Sequence, residues 1–193
     1  METLGIDLFY LEGMTYFCMV DKFSGYPFVH KLKTLNTRAI IKQLNLWFWE
    51  FGFPKNIRSD GGPQFRNEFE EFCRANGINK QLSSPYNPQS NGLAEAAVKQ
   101  MKFLLKKTGS SEDKFRPALL AWRNMPRADG YSPTQMFFGY RQLFGQMTLD
   151  THSFTDRQTA LESRDKTTRN AQTSFDKRSK DLKPLNIGQR VYI

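Results

Sequence analysis

The chain has 193 residues, with 28 Lys+Arg against 19 Asp+Glu, a net charge of +9 and a pI near 9.6. One core with an appendage is the most that this length carries, and 39% hydrophobic residues with 17 Phe exclude a chain disordered throughout. No apolar run nears the ~20 residues of a membrane span, and the N-terminus has no signal-peptide apolar region. Two cysteines and two histidines give neither a disulfide framework nor a zinc-finger spacing, so a reducing compartment is expected and no membrane partner. The basic excess fits an anionic partner and says nothing of the fold.

The first half alternates strand and helix signals. Gly5–Tyr10 and Thr15–Val20 are β-prone runs joined at Glu12-Gly13, a hairpin signal, and Ser24-Gly25 turns into a third strand, Tyr26–Leu32. Thr37 is expected to cap a helix to Phe51, with Ile40, Ile41, Leu44, Trp47, Phe48 and Phe51 at helical spacing and Gly52 and Pro54 as stops. Trp49 falls off that stripe and is expected at the surface. Lys55–Ser59 predicts a strand ending in the turn Asp60-Gly61-Gly62-Pro63, Glu68–Asn76 a helix with Phe69, Phe72 and Cys73 on one face, and Lys80–Leu82 another strand. Arg116-Pro117 is expected to start a helix, and Ser132-Pro133 to supply an N-cap and first residue. Three leading strands followed by alternating helices and strands predict an α/β layer fold with a mixed sheet. Cys18 and Cys73 are expected as buried thiols.

Charge and composition change near Asp150. Residues 151–193 carry 9 basic and 5 acidic groups, so +4 of the total falls on less than a third of the chain. The expected organisation is a domain over 1–150, a helical or extended basic linker over 151–182, and a stub over 183–193 whose run Leu185–Ile193 reads as one strand of a truncated domain.

Three carboxylates stand out by position. Asp7 lies inside an apolar strand, where an unpartnered charge is costly. Asp60 ends the fourth strand, and Glu95 lies in the first turns of a helix that follows the polar loop Ser83–Gly92. In open α/β sheets, sites form beyond the carboxyl ends of strands. Three converging carboxylates suit Mg²⁺ or Mn²⁺, which prefer oxygen ligands. Taken singly, each has an ordinary structural reading: a strand on a solvent face, a turn, a helix N-terminus. Asp21, a comparable strand-end carboxylate, is read as structural. On the helix of Glu95, the residues Ala97, Val98, Met101, Leu104 and Leu105 form an apolar stripe. Glu95, Lys99, Lys102 and Lys106 recur along another face, where lysines would hold phosphates.

The segments GIDLF, VDKFSGYPFVHKL, IRSDGGPQFRNEFEEFCRANGI, SSPYNPQSNGLAEAAVKQMK and GYSPTQMFFG together resemble the catalytic core of a retroviral or gypsy-type retrotransposon integrase, over about Gly5–Gln142. The resemblance implies a ribonuclease H-like fold, a five-stranded mixed sheet flanked by helices and followed by a helical linker. It also implies a catalytic and metal-binding triad of Asp7, Asp60 and Glu95 holding two Mg²⁺ (or Mn²⁺) ions. Lys99 and Lys102 match helix lysines that contact the element's DNA end, and Lys106 continues that row. Tyr86, Gln89, Ser90 and Asn91 fall in the loop before the glutamate, with Gly92 as its hinge. The implied partners are retroelement ends and target DNA, with a homodimer or higher multimer that would cover Trp49, and the implied location is the nucleus.

Two features depart from the pattern. Asp60 and Glu95 are separated by 34 residues, one fewer than in retroviral members. The chain begins six residues before Asp7, without the His-His-Cys-Cys zinc domain that precedes the core, so it is expected to be the middle of a longer protein. The expected activity is metal-dependent trimming of DNA 3′ ends and their joining to target DNA. The rivals are a domesticated DNA-binding scaffold without catalysis, and a ribonuclease H-type nuclease.

Overall fold

The computed structural model describes residues 1–82, 92–140, 142 and 156–177, and of residues 92–95 and 157 the backbone alone. Five strands, β1 (Thr3–Leu11), β2 (Met14–Asp21), β3 (Pro27–Leu32), β4 (Asn56–Ser59) and β5 (Asn79–Leu82), form one sheet in the order β3-β2-β1-β4-β5. The first three are an antiparallel meander; β4 joins β1, and β5 joins β4, in parallel. This is the mixed α/β sheet expected from the sequence. Parallel pairing requires a crossover, which α1 (Thr37–Phe51) and α2 (Glu68–Ala75) provide.

Strand alternation sorts the core into two layers. Leu4, Ile6, Phe17, Met19 and Ile57 face α1 and α2, where they meet Ile40, Leu44, Phe48, Phe69 and Cys73. Phe137 and Phe138 of α5 (Pro133–Phe138) close that layer. Phe9, Leu11, Tyr16, Cys18 and Val20 face the other way, onto α3 (Gly92–Lys107) and α4 (Glu112–Asn124) through Ala97, Val98, Met101, Leu105, Phe115 and Leu119. Trp49 lies off the buried face of α1 and is 72% exposed.

Two helix starts differ from expectation. Asn36, not Thr37, caps α1: its Oδ1 accepts the Ala39 amide at 2.8 Å, while Thr37 Oγ1 donates to Gln64 O. Helix α4 begins after Ser111, with Pro117 in its interior. Glu112 and Asp113 suit the positive end of the helix dipole, and burial of Phe115 and Leu119 outweighs the one backbone bond that Pro117 forgoes. Ser132 and Gln135 form a full capping box on α5.

The polar stretch after the core is helical in α6 (Arg157–Asp176), whose first turns pack back on the core. Ala160 is buried, and Ser163 Oγ donates to Asp129 O at 2.9 Å. The domain boundary read near Asp150 and the strand read at Leu185–Ile193 lie outside the described residues.

Both thiols are buried. Burial pushes Cys73 up to about 11, and burial followed by the charge of Asp7 pushes Cys18 far above its ordinary range. Neither is therefore expected to react with Ellman's reagent in the native protein, and both should react in denaturant. Met101→Ala, which empties the contact of α3 with the sheet, is expected to lower unfolding free energy by about 2–5 kcal/mol in a urea titration.

Candidate active site

The pairing of β1 with β4 decides where the first two carboxylates lie. Thr3, Leu4 and Gly5 sit opposite Asn56, Ile57 and Arg58. Continued by two residues, that register brings Asp7 level with Asp60, on strands that run side by side at ~4.8 Å. Alternation puts both on one face: Asp7 with Phe9 and Leu11, Asp60 with Asn56 and Arg58, the face that α3 covers.

Each carboxylate is oriented by backbone. Asp7, half-buried, accepts the Leu8 amide on Oδ1 at 2.7 Å. Asp60, exposed, accepts the Gly62 amide on Oδ1 at 3.1 Å in the tight turn that follows β4. Asp21 is different. It is buried on the opposite face with Oδ2 taking the Ser24 amide and hydroxyl at 2.8 and 2.6 Å, while Oδ1 has no partner among the described residues. It holds the turn into β3, as read from the sequence.

Helix α3 carries the third carboxylate. Lys102 Nζ stands 5.5 Å from the centre of the Phe9 ring, and beyond the helix Ser110 Oγ donates to Glu12 Oε2 at 2.7 Å. The helix therefore runs with β1, and its first turns lie toward the Asp7 end of the strand. Seven helical residues from Lys102 back to Glu95 cover ~10 Å, as do three strand residues from Phe9 back to Ile6. The backbone of Glu95 thus lies toward the Asp7 end of β1; its side chain lies outside the described residues. Among the described residues, no group of three or more His, Cys, Asp or Glu side chains comes together as a metal site. The two described carboxylates, hard oxygen donors at one level of one face, fit a hard divalent cation.

The remaining expected residues divide in two. Lys99 and Lys106 are exposed and Lys102 half-buried along one side of α3, in the row read from the sequence. Tyr86, Gln89, Ser90 and Asn91 lie outside the described residues. Sequence reading passed over Lys22 and Arg58, which share the face of Asp7 and Asp60. The spacing of two between Arg58 and Asp60 on a strand was the available signal. A groove of about 690 Å³ lies elsewhere, along the outer edge of β3 between α1 and α4.

Comparison with known proteins defines the class. Residues 2–88 match the family described as "Integrase core domain". The Pro-Pol polyprotein of simian foamy virus type 1 is 31% identical over 132 residues, 66% of this chain and 11% of that protein. The catalytic core domain of BIV integrase superposes with a TM-score of 0.62 at 22% identity, over 70% of this chain and 93% of that one. A simian T-cell lymphotropic virus intasome in complex with the PP2A regulatory subunit B56 gamma matches at a TM-score of 0.64 and 24% identity, over 76% and 58%. The chain carries an integrase core domain, and its fold is that of the retroviral integrase cores, ribonuclease H-like. It spans about a tenth of the length of the curated polyproteins that it matches.

The two kinds of aspartate separate experimentally. Asp21→Ala is expected to cost about 1–3 kcal/mol of stability through lost buried hydrogen bonds. Asp60→Asn, at an exposed turn, is expected to stay within about 0.5 kcal/mol; circular dichroism in urea measures both.

Proposed function

We propose that this chain is the catalytic core of a DNA polynucleotidyl transferase that trims retroelement 3′ ends and joins them to target DNA. The observation that carries the reading is the shared level and face of Asp7 and Asp60, beneath the helix that bears Glu95, inside a match to the integrase core family. Asp7, Asp60 and Glu95 are the proposed ligands of two Mg²⁺ or Mn²⁺ ions. Such ions, when bound, supply activation of an attacking oxygen and stabilisation of a leaving one.

The chain's own part is positioning. The Leu8 and Gly62 amides fix one oxygen of each aspartate before substrate arrives. Lys99, Lys102 and Lys106 extend from the level of Glu95 along α3 and neutralise phosphates of the bound DNA. Lys102 lies with its ammonium over Phe9, so its stem is supported by the core and its reach is limited. Tyr86, Gln89, Ser90 and Asn91 are proposed to contact the DNA end. The intasome named among the similar structures supports DNA and a multimer as partners, and the nucleus is the proposed place of work.

The test is Mg²⁺- or Mn²⁺-dependent cleavage or strand joining on DNA duplexes bearing element ends. Asp60→Asn is expected to reduce turnover by at least about 10³-fold, the scale for loss of electrostatic stabilisation at a reacting group, with DNA binding retained. Turnover that survives the substitution refutes the mechanism. For the multimer, the exposed α1 surface of Leu46 and Trp49 is the proposed contact between copies. Trp49→Glu is expected to move the mass measured by light scattering toward the monomer.

A further inference from the structure

Helix α3 has a third side. Its buried stripe, Ala97, Val98, Met101 and Leu105, faces the sheet, and Lys99, Lys102 and Lys106 run along one flank. At ~100° per residue, Phe103 lies on the side opposite the midline between Met101 and Leu105. It is 59% exposed, at a position where a helix packed on a sheet ordinarily carries a polar residue. Among the described residues its ring stacks on no other ring.

The surroundings of that ring are cationic. By the same rotation, Lys99 and Lys106 stand ~40–60° to one side of Phe103, and Gln100 and Lys107 as far to the other; all four are exposed. The segment from Ala96 to Lys107 holds four lysines and no Asp or Glu. The ammonium of Lys107 stands 5.4 Å from the centre of the Phe103 ring, within cation–π range. An accessible aromatic face with positive charge on both sides has the two parts of a platform for an unpaired strand: rings take bases, and ammonium groups take phosphates. Lysine is depleted from the cores of protein interfaces, so a ring encircled by lysines suits an anion better than a protein surface.

We infer that Phe103 is a stacking platform for an unpaired base of the DNA end, with Lys107 against a phosphate of the same strand. The inference rests on the reading of Asp7, Asp60 and Glu95 as the centre that trims DNA 3′ ends. Removing nucleotides from a 3′ end leaves the opposite strand with unpaired bases at its 5′ end, so the reaction itself produces a ligand with open aromatic faces. Phe103 lies eight residues along α3 from Glu95, ~12 Å, the span of about three to four bases stacked at ~3.4 Å. Phe103 and Lys107 are positioning residues. They hold the strand that is not cut, and so fix the DNA end against α3 while the other strand reacts. Every base has a face to stack, so the contact carries no sequence information.

The experiment uses the full chain and its Phe103→Ala, Phe103→Leu, Phe103→Trp and Lys107→Gln variants. Fluorescence anisotropy across a salt series follows binding to a DNA duplex with a 5′ overhang of about four nucleotides, the length that spans ~12 Å, and to the same duplex with abasic sites in the overhang. The wild-type chain is expected to prefer the overhang that carries bases by about five- to hundredfold, the range for one stacked base. Phe103→Ala is expected to abolish that preference without changing the slope of log affinity against log salt. Phe103→Trp is expected to keep the preference, and Phe103→Leu, similar in bulk but without an aromatic face, to lose most of it. Lys107→Gln is expected to flatten the slope by about 0.7, the value for one phosphate of a single strand. A wild-type chain that binds both duplexes equally overturns the platform, as does a preference that survives Phe103→Ala or is kept in full by Phe103→Leu. A Phe103→Ala chain whose mass by light scattering falls also overturns it, because the ring would then join copies of the chain. Cleavage abolished by Asp60→Asn with no preference between the duplexes refutes the platform alone. A preference that depends on Phe103, with cleavage that survives Asp60→Asn, refutes the catalytic reading and leaves the platform standing.

Discussion

The parallel pairing of β1 with β4 is the constraint on which the candidate site depends. Side chains alternate along a strand, so a slip of one residue between the two would send Asp7 and Asp60 to opposite faces. Both faces hold the register. On one, Leu4, Ile6 and Ile57 are wholly buried and admit no exchange with the polar set. On the other, Asn56 Nδ2 donates to Thr3 Oγ1 at 3.3 Å, and Asn79 Nδ2 donates to Asn56 Oδ1 at 3.1 Å. The amides of Lys55 and Asn56 both reach Glu2 O at 3.0 Å, which anchors the entry of β4 against the start of β1. The position of the carboxylates is thus a consequence of core packing two residues away.

Helix α3 couples that sheet to charge. Its buried side, Ala97, Val98, Met101 and Leu105, fixes its rotation over β1 and β2, and this rotation puts the lysine row at the flank of the strand that holds Asp7. An exposed lysine row on a free helix would be a solvated face. Here the packing gives it a fixed direction from the carboxylate end of β1 to the hairpin at Glu12, where Ser110 ties the end down. Part of the chain's net charge of +9 is therefore ordered relative to the two aspartates. Electrostatic attraction of a polyanion needs only the total, whereas alignment of one strand needs the order.

Much of this was legible in the sequence because it rests on local pattern. Periods of two and of 3.6 gave the three leading strands, the α1 stripe and the α3 stripe, and the turn residues gave the hairpins. Asp7 and Asp60 were legible as residues; that they share a face was not, because their register belongs to a pairing between segments about fifty residues apart. The same non-local ladder explains why β1 starts at Thr3 and not Gly5: its first residues are strand because Asn56–Arg58 pair with them. The cap of α1 was misread by one residue because Asn36 and Thr37 are both good caps, and the hydroxyl of Thr37 is taken by Gln64 O. Pro117 suggested a helix start by its chemistry alone, and the buried Phe115 before it was the stronger signal.

The contrast between Asp21 and the pair Asp7 and Asp60 says what makes an aspartate available for chemistry in this fold. All three lie in or at the end of central strands, and composition does not distinguish them. On β2 the odd residues Phe17 and Met19 face the α1 layer, and Asp21 follows them into it, where the Ser24 turn consumes one oxygen and the protein closes over the other. On β1 and β4, Asp7 and Asp60 take the opposite parity and open toward α3, each with one oxygen held by a neighbouring amide. Parity therefore assigns the roles: the α1 face uses its carboxylate to build a turn, and the α3 face keeps two at one level. The lysine row of α3 flanks that same face, so the ordered cations and the open carboxylates lie on one side of the sheet.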